Sequence, residues 1–259
     1  MILFLHFVYT LLFTYLMSFI VIPNYYLILA WLILGNIVAF LIHVLFLIIL
    51  YPLNKLLKYD NKLKQKYIRS LLSYALFFLR VKIVVHGKEN IPDTNFVAYG
   101  NHKSHSDVLV EYVVLNKPMG FVAKKEIMDI FFLGSYMKTI GCIGIDRSND
   151  RTALIGFKEV VDKLKKGYNI GIYPEGGIRD KTTDKMVDIK PGAYKLAFKA
   201  QVDILPISIK NAILVPKNYF RRKTTVHVYI HKPIKYEDYK DLNTHEIGEK
   251  VFNIVNSVL

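Results

Sequence analysis

The first 54 residues contain no Asp, Glu, Lys or Arg. All 35 Lys and Arg and all 21 Asp and Glu follow, so the net charge of +14 belongs to the chain from Lys55 onward. The uncharged run divides at Pro23-Asn24 into two apolar segments, residues 1–22 and 25–50. Each exceeds the roughly 18 apolar residues that mark a candidate membrane helix. At about 1.5 Å of rise per residue, each is long enough to cross a hydrocarbon core of roughly 30 Å. Pro23 supplies the break, because proline cannot donate the backbone hydrogen bond that would continue a helix. No basic stretch precedes the first segment and no small-residue cleavage site follows it, which argues against a removed signal peptide. The expected element is a hydrophobic helical hairpin over residues 1–54. It is expected to be membrane-embedded, crossing the bilayer or dipping into one leaflet; a hairpin buried in a soluble fold is the competing reading.

The first cations, Lys55, Lys58, Lys62, Lys64, Lys66 and Arg69, crowd just beyond the hairpin. They predict a basic interfacial helix linker over residues 55–81, with its side of the membrane cytoplasmic by the positive-inside rule. Such residues contribute on the order of 1 kcal/mol each near an anionic leaflet. The expected location is the cell membrane, with membrane lipid as a partner and residues 82–259 on the cytoplasmic face. Nucleic acid is the other common partner of a basic chain. No helix-turn-helix pattern, zinc spacing or ribonucleoprotein motif occurs, so nucleic acid is not expected. Cys142 is the single cysteine, which excludes an intrachain disulfide.

From about residue 83 short β-rich runs alternate with helical periods. The runs are residues 83–86, 96–99, 120–123, 142–145, 170–173, 204–209 and 226–230. Leu154, Phe157, Val160, Val161 and Leu164 fall on one helical face, and Ile247, Val251, Ile254 and Val258 on another. Alternation of this kind predicts an α/β domain, a largely parallel sheet flanked by helices, over residues 82–259. Active sites in such folds lie beyond the carboxyl ends of strands.

"YGNHKSHSDV", residues 99–108, follows one of those strands and concentrates proton-handling groups. His102 and Asp107 are five positions apart. On one helix they would be separated by about 500° of turn and would not share a face. They meet only if His102 lies in the loop and Asp107 in the first helical turn, with Ser104 or Ser106 as cap. Asp107 would then hold one imidazole nitrogen while the other takes a proton from a hydroxyl. Ordinary turn hydrogen bonds are the competing reading. A metal site is not expected, because the spacing lacks two histidines at i and i+4. Three further clusters end strands: "FVAKKE" with Lys124, "GIDRSND" with Arg147, and "IYPEGGIRD" with Glu175, Gly176 and Arg179. The glycines let backbone approach a ligand, and arginine offers a fork suited to phosphate. Cations at several strand ends beside a His–Asp pair point to an anionic substrate with a reacting hydroxyl.

Over residues 82–234 the sequence resembles the glycerophospholipid acyltransferases. The resemblance rests on four ordered blocks, "NHKSHSD", "GCIGIDR", "YPEGGIRD" and "ILPISI", with "FVAKKE" and "KPGAYKLA" between them. It implies an O-acyltransferase acting on the sn-2 hydroxyl of 1-acyl-glycerol-3-phosphate (lysophosphatidic acid) to give phosphatidic acid. His102 would be the general base and Asp107 its orienting group. Lys124 and Arg147 would hold the acceptor phosphate, and Glu175 and Gly176 would line the acceptor site. The acyl donor would be acyl-CoA, an acyl carrier protein thioester or acyl phosphate, with no metal or organic cofactor. The third block departs from the family's Glu-Gly-Thr-Arg: Gly177-Ile178 intervene and Arg179 comes one place late. This leaves open whether Arg179, Lys181 or Lys185 takes that arginine's role. It also leaves open another acceptor, such as glycerol 3-phosphate or another lysolipid, and a non-catalytic scaffold on the same fold. His105 has Val110 at the matching spacing instead of a carboxylate and is expected to be structural.

Overall fold

The computed structural model describes residues 1–22, 24–146, 150–219 and 221–259. The expected break at Pro23 therefore lies outside the described residues. The chain divides into two compact units, Met1–Tyr74 and Ala75–Leu259. The expected 1–54 hairpin and most of the 55–81 linker thus share one unit.

In the first unit α1 (Ile2–Tyr15) continues through a π-helical turn, Leu16–Val21, and α2 runs from Ile28 to Leu56. Both stretches, Ile2–Val21 and Ile28–Leu56, are long and apolar enough to cross a membrane. Their packing inverts that of a water-soluble pair. The buried residues of the first helix recur every fourth position: Ile2, His6, Thr10 and Thr14, then Ser18 in the π turn. Those of α2 include Gly35, Ala39 and His43 at the same spacing. A Cβ at Gly35 would lie 2.9 Å from the Thr10 carbonyl oxygen, so only glycine admits this approach. Phe4, Leu11, Phe19, Leu29 and Ile33 point outward and are exposed.

The helix α3 (Lys62–Phe78) begins in this unit. Tyr74 on it hydrogen-bonds His6 Nδ1 at 3.1 Å, while His6 Nε2 meets Asn36 Oδ1 at 3.1 Å. One of the expected interfacial cations is diverted. Lys64 is buried and donates from Nζ to the carbonyls of Asn54 (2.8 Å) and Leu57 (3.3 Å). It caps the C-terminal end of α2, where carbonyls lack helical partners.

The second unit carries β1 (Val81–His86), β2 (Phe96–Gly100), β3 (Met119–Lys124), β4 (Ile143–Ile145), β5 (Asn169–Ile172), β6 (Asp203–Lys210) and β7 (Thr224–Ile230). Among the described residues they form a seven-stranded sheet in the order β1-β7-β6-β2-β5-β3-β4. Each of the seven runs read from sequence overlaps one of these strands. All pairings are parallel except β6 with β7. The carboxyl ends of β2, β3, β4, β5 and β6 therefore share one edge of the sheet.

The longer helices α4 (Ser106–Leu115), α7 (Asp150–Lys165) and α10 (Thr244–Asn256) alternate with these strands, as do the short α5 (Lys125–Met128), α6 (Leu133–Thr139), α8 (Lys195–Ala200) and α9 (Val215–Asn218). Val160, Val161 and Leu164 of α7 join Ile247, Val251 and Val255 of α10 in a core with Val97, Ile170 and Ile204. Two expected face members differ. Leu154, in the first turn of α7, is 69% exposed, and Val258 lies beyond the end of α10. The capping box of Asn243 and Glu246 starts α10 and fixes its phase.

Candidate active site

The chain leaves β2 at Gly100 and turns through residues 101–105 into α4. Asn101 pins this turn to the next strand. Its Nδ2 donates to the Ile209 carbonyl and its Oδ1 accepts from the Ile209 amide, both at 2.8 Å. His102 is thereby held in the loop and Asp107 in the first turn of α4, the arrangement their spacing requires. Asp107 Oδ2 lies 3.1 Å from His102 Nδ1 and accepts the amides of Lys103 (2.7 Å) and Ser104 (2.8 Å). One buried oxygen thus gathers two backbone amides and the imidazole edge, which ties the loop to the start of α4. Neither expected serine occupies the N-cap position of α4, although the Ser104 side chain serves its first amide. His105 occupies the cap position, and the Ser104 hydroxyl oxygen accepts from the Ser106 amide at 3.2 Å. His105 is exposed.

Glu175, just beyond β5, grips the same loop. Its Oε1 accepts the His102 amide at 2.8 Å, and its Oε2 accepts Lys103 Nζ at 2.7 Å. Both side chains of the Lys103–Glu175 pair are 0% exposed. Glu175 is thus turned into the protein, holding His102 through its backbone. Sequence reasoning passed over Lys103 as one of many lysines on a basic chain. The available signal was its position between two site residues in a segment that follows a buried strand.

Gly176 and Gly177 both have positive φ, 77° and 152°, conformations open to glycine. A Cβ built on Gly177 would lie 3.8 Å from Lys124 Cε and 3.9 Å from Lys124 Nζ. The last residue of β3 therefore reaches the glycine loop after β5. Arg179 does not join this group closely: its Nη1 pairs with Asp188 Oδ2 at 3.3 Å, in a half-exposed ion pair. Arg147 lies outside the described residues.

Tyr173 was also passed over. Its ring stacks on the His102 imidazole, with centroids 4.2 Å apart and planes 11° from parallel. Its hydroxyl donates to Glu111 Oε2 at 2.8 Å. Burial pushes the Glu111 carboxyl up to about 8, against a smaller lowering by the Tyr173 hydrogen bond, with the Asp107 charge adding to the rise. Past β3 the chain also presents Ile130, Phe131 and Leu133, all exposed.

A family model described as "Acyltransferase" matches residues 82–210, the span that holds the His102 loop, Lys124 and Glu175. Residues 82–210 belong to the acyltransferase family. The chain is 29% identical, over 63% of its length, to a 1-acyl-sn-glycerol-3-phosphate acyltransferase of Borreliella burgdorferi. It is 31% identical, over 58% of this chain, to a probable 1-acyl-sn-glycerol-3-phosphate acyltransferase of Mycoplasma pneumoniae. The matched part spans 66% and 58% of those two relatives. In three dimensions the chain resembles the crystal structure of the 1-acyl-sn-glycerophosphate (LPA) acyltransferase from Thermotoga maritima. The TM-score is 0.63 at 27% identity, over 75% of this chain and 78% of that one.

Proposed function

We propose that the protein is a membrane-bound O-acyltransferase that moves a fatty acyl group from a thioester to the sn-2 hydroxyl of 1-acyl-glycerol-3-phosphate, giving phosphatidic acid. The observation that carries this reading is the His102–Asp107 contact at 3.1 Å, in a loop at the carboxyl edge of the sheet. Asp107 occupies Nδ1, which directs Nε2 to the acceptor. The acceptor hydroxyl gives its proton to Nε2 as its oxygen bonds the acyl carbon. The carbon–sulfur bond then breaks, and the leaving thiolate takes the proton back from the imidazolium. Asp107 orients the imidazole and stabilises the imidazolium. No acyl-enzyme forms in this scheme, and no metal is required.

Lys124 at the Gly176-Gly177 loop and Arg147 hold the acceptor phosphate, with Glu175 fixing the loop that carries the base. The two apolar helices, whose outward faces are hydrophobic, and exposed Phe131 suit a lysolipid that enters from a bilayer. In this reading the domain works on the cytoplasmic face of the cell membrane, which the remaining linker cations support through the positive-inside rule. Acyl-CoA, acyl carrier protein thioesters and acyl phosphate are the candidate donors.

The test is purified full-length protein in detergent, given labelled donors and a panel of acceptors. The expected preference is for 1-acyl-glycerol-3-phosphate, and His102→Ala lowers the rate by ~10²–10⁴, the range of a lost general base. A preference for glycerol 3-phosphate or another lysolipid transfers the reading to that acceptor, the alternative that the altered third block raises. Folded protein that acylates nothing on the panel leaves a scaffold.

A further inference from the structure

We infer that Glu111 and Tyr173 form a positioning couple that fixes the plane of the His102 imidazole. This rests on the reading of His102 as the general base.

A single hydrogen bond at Nδ1 sets where one edge of the ring lies but leaves the ring free to tilt about that bond. A face contact removes this freedom. Tyr173 supplies it, lying 4.2 Å from the imidazole at 11°. A stacked ring can itself slide unless its far end is tied. The hydroxyl of Tyr173 is tied to Glu111 Oε2 at 2.8 Å. Glu111 follows Asp107 by four residues on α4, so the two project from the same face of one helix. One rigid element thus constrains the imidazole twice, at its edge through Asp107 and at its face through Tyr173. Glu111 and Tyr173 are both buried, and Glu111 Oε1 has no hydrogen-bond partner among the described residues. A buried carboxyl in that setting is retained in its neutral form, and burial does raise it to about 8. A neutral Glu111 ties the tyrosine without setting a second anion beside Asp107. The electron-rich face of Tyr173 also favours the imidazolium that forms during transfer.

The experiment is steady-state kinetics of the full-length protein with Tyr173→Phe, Tyr173→Leu, Glu111→Leu and Glu111→Gln, alongside His102→Ala and thermal unfolding of each. Losing the stack in Tyr173→Leu is expected to lower kcat by about 10–100-fold, the scale of a misplaced reacting group. KM should stay within about threefold, since the tyrosine acts through His102 and not on the acceptor. Tyr173→Phe keeps the ring and frees its end, so a smaller fall of about 3–10-fold is expected. Glu111→Gln should recover most of the kcat lost in Glu111→Leu, because an amide oxygen accepts the same hydroxyl. If Tyr173→Leu unfolds, Tyr173→Phe and the Gln rescue decide. Wild-type kcat in Tyr173→Phe and Tyr173→Leu, or a loss confined to KM, overturns the couple while His102→Ala remains inactive. An active His102→Ala overturns the base reading and the couple with it.

Discussion

The two units of this chain are packed by opposite rules. On the first helix the inward residues are Ile2, His6, Thr10, Thr14 and Ser18, four of the five polar, and the outward ones include Phe4, Leu11 and Phe19. In Ala75–Leu259 the inward residues are Val97, Ile170, Ile204 and their neighbours. A water-soluble hairpin would need the first pattern reversed, because exposed apolar surface costs roughly 25 cal/mol per Å² in water. In hydrocarbon that force vanishes, and helices associate through small residues and polar contacts. The contrast fits membrane association of the first unit. It argues against the hairpin as a buried element of a soluble fold.

The second unit breaks its own rule where it buries charged side chains, and the sharpest test lies at one such pair. Lys103 and Glu175 are a charge pair with both side chains fully enclosed. Removing one partner leaves an uncompensated charge, at a cost of about 3–5 kcal/mol. Lys103→Met should lower the unfolding midpoint accordingly, and Lys103→Met with Glu175→Gln should regain part of it. A midpoint unchanged in Lys103→Met would mean that the pair is wet, and the contrast with the hairpin would soften.

Glu111 is a second exception and gives a smaller, pH-dependent effect. Its carboxyl is raised from 4.5 to about 8 by burial, so the folded state holds a proton that the unfolded chain has lost between those values. The contribution of Glu111 to stability therefore falls as pH rises through that window, by roughly 1.4 kcal/mol per unit at most, and levels off above it. Glu111→Gln lacks this proton. The gap in unfolding midpoint between it and wild type should widen from about pH 4.5 to 8. A constant gap would show that Glu111 is ionised in the fold.

The hairpin offers the mildest test. Thr10→Val removes an inward hydroxyl, and in lipid such contacts average about 0.6 kcal/mol. A loss of that size in a detergent or bilayer unfolding assay fits the inverted packing. A gain would show that Thr10 is a burden and that the helices meet by another logic.

The His102–Asp107 relation was legible because both residues fall in one short segment after an apolar strand, and one local turn joins them. The partners of that pair were not. Lys103 meets Glu175 across 72 residues and Tyr173 meets Glu111 across 62, and only the order of strands brings them together. The seven strands could be read as runs of β-rich residues, but the reversed direction of β7 against β6 could not, since a strand's composition does not depend on its direction. Lys64 looked like its charged neighbours until the end of α2 was seen to need a donor.

The sequence alone determined that this chain has an uncharged membrane-length start and an α/β remainder with a His–Asp turn at a strand end. Those features depend on spacing and hydrophobicity, which act over a few residues. Tertiary structure alone decided which carboxylate is sealed against which lysine, which lysine caps a helix and which ring lies on the imidazole. Burial is a property of what packs from elsewhere, and it is burial that turns an ordinary side chain into a fixed one.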